Sequence, residues 1–245
     1  MINAAFSMPL MWPPYGPPPY PVENAKLVIV QFETDPAAVA ALVPKPLEPV
    51  NNGVVTAFVG DVWQSRGPGA YLEGGLVVPV TYKGRASSYV PILLTSTEDA
   101  LYVGREVFGL PKLLCDDGQL SVIGNGRKGD LRRRGERILS LSVQLDDVVD
   151  GKHMLPQDRY MLKRIPSPDP QFPSLNHLVH QALSGHRVER SFKGRGHIIL
   201  GGDLHVDLTG LQKKRVLEAW YIEASWNVPP AKVINEERLP LTKVA

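Results

Sequence analysis

The chain has 245 residues, of which 43% are hydrophobic and 21% charged, and this is the composition of an ordinary globular protein with a sizeable core. Lysine and arginine number 27 against 25 aspartate and glutamate residues, so the formal net charge of +2 argues against nucleic acid or an anionic membrane as the main partner. No apolar run reaches the roughly 18 residues that a membrane-spanning helix needs. Cys115 is the only cysteine, so no intrachain disulfide can form, and we expect a cytoplasmic protein in which Cys115 is a small buried apolar residue.

A proline-rich arm occupies residues 1–21. Its prolines and its lack of a basic start fit neither a signal peptide nor a membrane span. A polyproline segment can serve as a ligand for a partner's aromatic groove, but it more often lies as an extended arm on its own domain or on a neighbouring subunit, which is the interpretation we favour. After the arm, β-branched residues at 26–33 predict a strand, and Asp35-Pro36 predicts the start of a short helix that ends near residue 43.

Three strands separated by two turns, followed by a helix, are predicted from residue 54 to about residue 123. The turns are Gly67-Pro68-Gly69 and Lys83-Gly84-Arg85, and the pattern is typical of antiparallel sheet. Glu73 falls at the entry of a predicted strand at 76–82. An acid at such a place is as readily a surface turn residue as a functional group.

A helix is predicted next, and a lysine follows its end. Thr97 is a candidate N-cap, and Gly109, followed by Pro111, is a candidate C-terminal stop. Lys112 therefore lies just beyond a helix C-terminus, in sequence rich in leucine, and burial there would disfavour its charged form. A neutral lysine amine is a nucleophile toward carbonyl carbon. The more common arrangement is a lysine whose stem packs on apolar neighbours while its ammonium group reaches water.

The glycine-rich stretch at residues 124–129 lacks the Gly-Lys-Ser/Thr ending of a phosphate loop, so we predict a hairpin turn. Basic residues cluster in and after this turn. They could hold an anionic tail of a substrate, but the interspersed acids Asp130 and Glu136 favour a solvated hairpin edge or a subunit contact. The cluster consists of Arg127, Lys128, Arg132, Arg133, Arg134 and Arg137. Alternating apolar residues then predict a half-buried strand over 137–147.

The last third of the chain predicts one helix and several strands. A strand is expected at 160–163, and residues 173–183 predict a helix closed by Gly185. His177 and His180 would share a face of that helix, as two metal ligands must, but no third ligand accompanies them and we interpret them as surface histidines. Three more strands are predicted at 197–200, 205–208 and 217–226.

These elements together predict an α+β protein in which a mainly antiparallel sheet curls into a cone or barrel with a few helices outside it. We find neither an internal repeat nor a linker, so we expect residues 1–245 to form a single domain that begins with the arm at 1–21. The mouth of such a barrel suits a small ligand.

Four segments resemble the acetoacetate decarboxylase superfamily, in the family's order, at compatible spacing and over nearly the whole chain. They are residues 71–75, residues 78–82, the stretch from Gly104-Arg105-Glu106 to Pro111-Lys112, and residues 160–166. The resemblance implies the same fold. It also makes Lys112 the Schiff-base lysine and leaves Glu73 as the acid that positions or moves protons.

The resemblance further implies a set of substrate contacts around Lys112. At several other positions, however, this sequence differs from the family. The implied contacts are Arg105, Glu106, Phe58, Leu110 and Leu113. In the decarboxylases a second lysine directly follows the Schiff-base lysine, and here that residue is Leu113. The family's arginine and second glutamate nearer the N-terminus fall on Ala25 and Phe58. The loss of these charges weakens the case for acetoacetate itself as the substrate.

We therefore expect a Schiff-base lyase that acts on a small keto acid or other carbonyl compound and needs neither a metal ion nor a cofactor. We rank β-keto-acid decarboxylation first, because it is the reaction of the family that the sequence resembles. Aldol condensation and dehydration of an α-keto acid such as pyruvate with an aldehyde follows closely because of the missing charges. A carbonyl-binding relative without turnover, in which Lys112 stays protonated, is a further alternative. We expect a homo-oligomer with neither nucleic acid nor a membrane as its partner.

Overall fold

A computed structural model describes residues 6–234, and its framework is a large, mainly antiparallel β-sheet of twelve strands. The strands are β1 (Tyr20–Glu33), β2 (Glu48–Pro49), β3 (Val54–Gln64), β4 (Gly69–Tyr82), β5 (Arg85–Thr95), β6 (Lys112–Leu114), β10 (Asp147–Val148), β11 (Asp158–Ile165), β12 (Leu175–Ala182), β13 (Ser184–Gly194), β15 (Arg215–Val228) and β16 (Lys232–Val233). Their order is β10-β13-β15-β1-β3-β4-β5-β11-β12-β16, with β2 beside β4 and β6 beside β5.

A second sheet of four strands and four short helical segments complete the fold. The strands, in the order β14-β9-β8-β7, are β7 (Asp117–Ile123), β8 (Gly126–Arg133), β9 (Glu136–Gln144) and β14 (Gly196–Leu200). The helical segments are α1 (Pro36–Ala41), α2 (Glu98–Tyr102), a π-helical turn (Val103–Phe108) and a 3-10 turn (Lys152–Met154).

The large sheet is covered on both faces, because alternate residues of its strands enter two different hydrophobic clusters. On β1, Val28 and Val30 pack in a cluster that includes Leu139 of the small sheet. Leu27 and Ile29 point the other way, into a cluster on the opposite face. The small sheet and helix α1 therefore cover one face of the large sheet, and α2, the π-helical turn and the 3-10 turn close over the other.

The segment from α2 to β6 delivers Lys112 to the second of these faces. The Thr97 side chain caps α2 at Ala100 N–H, as the sequence predicts. The π-helical turn then ends at Gly109, whose φ of 77° lies in the left-handed region that favours glycine. Lys112 follows in β6, which runs parallel to β5 with Lys112 beside Leu93.

The α+β class, with a mainly antiparallel sheet and peripheral helices, is confirmed. Within residues 6–234 the hydrogen-bonded path of the large sheet begins at β10 and ends at β16, so its strands do not close into a barrel. The hairpin turns near residues 67, 83 and 124, the strand over 137–147 and the short helix after Asp35 are also confirmed. No helix in the described part of the chain is long and apolar enough to cross a membrane.

The helix predicted at residues 173–183 is wrong, because these residues form strand β12, paired with β11. The error has a physical cause. Leu178 enters one hydrophobic cluster and the adjacent Val179 enters the other, so two neighbouring residues are buried, as on a helix. His177 and His180 consequently point to opposite faces of a strand. The strand predicted at 205–208 is also wrong, since the structure has only an isolated bridge between Gly202 and Asp207 there.

The N-terminal arm packs on its own chain from residue 13 onward, as one of the alternatives predicts, whereas residues 8–12 are exposed. Tyr15 and Tyr20 are buried, and the ring of Tyr20 meets Phe108 of the π-helical turn edge to face at 5.9 Å. The Tyr15 hydroxyl donates a hydrogen bond to Glu106. Residues 1–5 of the arm lie outside the described residues.

We predict that Gly109→Ala destabilises the protein by more than Gly84→Ala does. Both glycines have a left-handed φ, which costs an alanine about 1–2 kcal/mol. A Cβ at Gly84 would have no atom within 4 Å, whereas a Cβ at Gly109 would lie 2.4 Å from Cβ of Lys163. Urea unfolding of the two variants measures the difference, and equal losses would contradict the packing that we assign to the end of the π-helical turn.

Candidate active site

A cavity of about 350 Å³ lies on the face of the large sheet that the small sheet does not cover. Its size and its mostly apolar walls are those of a small-molecule site. The apolar wall is formed chiefly by Val22, Leu27, Ile29, Phe58, Val62, Val77, Val90, Leu93, Phe108, Leu110 and Trp226. Of the described lysine, arginine, aspartate and glutamate residues, only Glu73, Lys112, Asp158 and Arg159 line it.

Lys112 and Glu73 meet in this cavity. The Lys112 side chain is 3% exposed and that of Glu73 is 16% exposed, and Nζ of the lysine lies 2.9 Å from Oε2 of the glutamate. At this distance the carboxylate can accept a proton from the ammonium group and return it later. Lys112 Nζ also lies 4.8 Å from the centre of the Tyr71 ring, close enough for a cation–π interaction. Burial, reinforced by the negative charge of Glu73, holds the pKa of the Tyr71 hydroxyl well above its usual range, so Tyr71 is a neutral neighbour.

The strand register explains this meeting. Glu73 pairs with Thr95 of β5, and Lys112 pairs with Leu93 on the other side of the same strand. Glu73 therefore lies well inside β4 and not at a strand entry, which corrects the sequence-based placement. Its neighbours Tyr71 and Val77 on the same face of β4 also line the cavity.

Gly104 provides the space that the lysine stem occupies. A Cβ at this position would lie 2.5 Å from Cδ and 2.8 Å from Cε of Lys112. The carbonyl of Gly104 also accepts the backbone N–H of Leu110 at 2.9 Å, so the glycine takes part in ending the π-helical turn. Any side chain at the glycine of the Gly-Arg-Glu motif would therefore collide with the stem of Lys112.

The structure brings some of the sequence-predicted contacts to the cavity and leaves others outside it. Phe58 and Leu110 line the cavity together with Lys112 and Glu73. Arg105 is exposed, and its Nη1 donates to the backbone carbonyl of Lys112 at 3.2 Å. Glu106 receives the hydrogen bond from Tyr15 and does not line the cavity.

Leu113 also lies away from the cavity. It is half-buried and packs against the cluster on the opposite face of the large sheet, because successive residues of a strand point in opposite directions. A lysine at position 113 would therefore point away from the amine of Lys112.

Arg159 is a cavity residue that the sequence interpretation missed. It lies in β11 directly before the family-like segment at 160–166 and lines the cavity. Its Nε and Nη2 donate to Oε1 of Gln181 at 2.9 and 2.6 Å. Nothing local distinguishes it among 27 basic residues, although its position just before a recognised segment was a weak signal.

The structure also shows the surroundings of the cysteine and of the basic cluster that the sequence singled out. Burial raises the pKa of the Cys115 thiol to about 11, so this cysteine is a neutral packing residue near pH 7. The basic cluster is partly neutralised: Lys128 lies 2.6 Å from Asp130, and Arg133 pairs with Asp203. Residues 6–234 contain no group of three or more His, Cys, Asp or Glu side chains placed to hold a metal ion.

Comparisons with known proteins match the chain to one family over nearly its whole length. A family model described as acetoacetate decarboxylase matches residues 7–238. Acetoacetate decarboxylase 2 from Mesorhizobium japonicum is 28% identical over 236 residues, which are 95% of this chain and 89% of the relative. The crystal structure of acetoacetate decarboxylase from Legionella pneumophila has the same fold, with a TM-score of 0.86 and 24% identity over 95% of this chain and 94% of that one. The enduracididine biosynthesis enzyme MppR, complexed with the condensation product of pyruvate and imidazole 4-carboxaldehyde, also shares the fold, with a TM-score of 0.80 and 18% identity over 93% and 95% of the two chains.

Proposed function

The chain belongs to the acetoacetate decarboxylase family, and we propose that it is a Schiff-base lyase that acts on a keto acid through Lys112. The observation that carries the proposal is the buried amine of Lys112, 2.9 Å from the carboxylate of Glu73 at the wall of a mostly apolar cavity. A lysine amine that has given up its proton adds to a keto carbonyl, and loss of water leaves a protonated imine.

The first candidate reaction is decarboxylation of a β-keto acid, which the family supports. The protonated imine accepts the electron pair of the breaking bond between the α-carbon and the carboxylate carbon, so carbon dioxide leaves and an enamine remains. A proton then returns to the α-carbon, and water hydrolyses the imine to release a ketone and free Lys112. Glu73 is the group placed to carry protons to and from the amine.

The second candidate is condensation and dehydration of an α-keto acid with an aldehyde. Here the imine loses a proton from the carbon next to it, the resulting enamine attacks the aldehyde, and water leaves the product before imine hydrolysis. Phe58 favours this candidate, because it presents an apolar ring to the cavity at the position where the family has a glutamate. MppR has been observed with a condensation product of pyruvate, so the shared fold accommodates such a reaction.

We expect Lys112→Met to abolish covalent trapping of pyruvate or acetoacetate by cyanoborohydride, since the variant has no amine at the cavity. Lys163→Met is the matched control, because burial lowers the pKa of Lys163 and makes it the competing nucleophile among the described lysines. Mass spectrometry of the digested protein locates the adduct, and thermal unfolding confirms that the variants are folded. An adduct on Lys163, or full-yield trapping by Lys112→Met, would show that the proposed nucleophile is wrong.

Glu73→Gln should lower turnover by roughly 10²–10⁴-fold, the usual contribution of a general acid–base group, while imine trapping at Lys112 survives. Glu48→Gln is the control, because Glu48 lies on β2 beside the same strand β4 but is exposed and accepts a hydrogen bond from Thr81. Steady-state rates and trapping yields are measured in parallel. A Glu73→Gln rate within about twofold of the parent would remove Glu73 from the mechanism.

A product assay separates the two candidate reactions. We expect carbon dioxide release from β-keto acids at a typical enzymatic rate, on the order of 1 per second or more, if decarboxylation is native. We expect pyruvate with an aldehyde to give an unsaturated product with ultraviolet absorbance if condensation is native. Trapping without either product would instead indicate a carbonyl-binding relative without turnover.

The single domain, the homo-oligomeric assembly and the cytoplasmic location stay predictions from the sequence.

A further inference from the structure

We infer that Arg159 binds the carboxylate of the substrate, so that a keto acid is held at two points, with its carbonyl carbon at Lys112 and its carboxylate at Arg159. The inference rests on the proposed function for the role of Lys112, and it adds the group by which the substrate is recognised. It also predicts the substrate class, which is a keto acid with one carboxylate and an apolar remainder.

The first argument is that the guanidinium group is fixed in place and incompletely used. Gln181 is 1% exposed, and its Nε2 donates to the backbone carbonyl of Pro229 at 2.8 Å, which orients its Oε1 toward Arg159. The two hydrogen bonds from Arg159 to Gln181 use two of the five N–H donors of the guanidinium. The remaining donors are available on a side chain that lines the cavity.

The second argument is that Arg159 has no neutralising partner. Across residues 6–234, no carboxylate oxygen lies within 4 Å of its guanidinium nitrogens. The adjacent Asp158 is engaged elsewhere, by Arg85 and by His180 at 3.2 Å. Burial lowers the pKa of Arg159, and the charge of Glu73 opposes this effect without direct contact. An enclosed cation without a carboxylate partner is costly, and a bound anion removes that cost.

The third argument is the charge balance of the cavity. The positive charge of Lys112 and the negative charge of Glu73 offset each other, since the two groups lie 2.9 Å apart. The negative charge of Asp158 is offset by Arg85. The positive charge of Arg159 is therefore the one that has no counter-charge in the cavity. One carboxylate neutralises it. The rest of the wall is mostly apolar and offers a volume of about 350 Å³, which suits a ligand that carries an aliphatic or aromatic group.

The competing interpretation is structural: Arg159 and Gln181 are opposite each other on β11 and β12, and their hydrogen bonds could serve only to join these strands. A structural clamp would not distinguish a carboxylate from a neutral group of the same shape. A binding residue must do so.

The test compares 3-phenylpropanoate with 3-phenylpropanamide, two probes of similar shape without a keto group, by titration calorimetry. We expect the parent protein to bind the carboxylate about 10- to 100-fold more tightly than the amide, as a charge-assisted hydrogen bond to arginine implies. Arg159→Met should abolish this preference and Arg159→Lys should retain part of it. Arg215→Met should retain it in full, because Arg215 is an exposed arginine that pairs with Glu33, and neither residue lines the cavity.

Equal affinity of the parent for the two probes, or an unchanged preference in Arg159→Met, would overturn the inference. If Arg159→Met does not fold, the preference of the parent and its change in Arg159→Lys decide the question. Neither probe has a keto group, so the result does not depend on imine formation at Lys112, and the Arg159 variants assign the preference to Arg159. Failure of the parent to trap any keto acid would overturn the proposed function alone, and loss of the carboxylate preference would overturn the role of Arg159 alone.

Discussion

The buried contact between Lys112 and Glu73 is the constraint on which the site depends. Removing two opposite charges from water costs several kcal/mol per ion, and the cost is offset only when the two groups meet in good geometry. The register of β4, β5 and β6 provides that geometry, and Gly104 leaves room for the lysine stem. A shift of β6 by one residue would turn Lys112 to the opposite face and bring Leu113 to the cavity. The strand register therefore sets the geometry of the candidate site.

The large sheet can hold a cavity because its two faces have different covers. The small sheet packs closely on one face, where Leu131, Ile138 and Leu141 are fully buried. On the other face the cover consists of α2, the π-helical turn, and the 3-10 turn with Leu155 after it, which leave a volume open at the centre. A rigid, well-packed layer behind the strands thus holds the reactive side chains in place while the opposite layer admits a ligand.

Short-range sequence signals predict much of this structure correctly. The predictions that fail do so for identifiable physical reasons. Caps at Asp35 and Thr97 and the stop at Gly109 are short-range features, and the structure confirms them. The helix predicted over β12 fails because a strand buried on both faces loses its alternation. The contact between Lys112 and Glu73 could be proposed only from the family motif, since it depends on pairing across β5. Arg159 stands out because it lines the cavity and, among the described residues, no carboxylate oxygen lies within 4 Å of its guanidinium group, which a sequence does not reveal.

The position of Arg159 also bears on the choice between the two candidate reactions. A carboxylate that leaves as carbon dioxide loses its charge, so an ion pair at that carboxylate stabilises the reactant more than the transition state and slows the reaction. A carboxylate that survives the reaction, as in the condensation of an α-keto acid, keeps its ion pair throughout. A β-keto acid whose only carboxylate is held at Arg159 is therefore a poor substrate for decarboxylation, and the proposed role of Arg159 favours the condensation candidate. Phe58 supports the same choice, because it presents an apolar ring to the cavity at the position where the family has a glutamate.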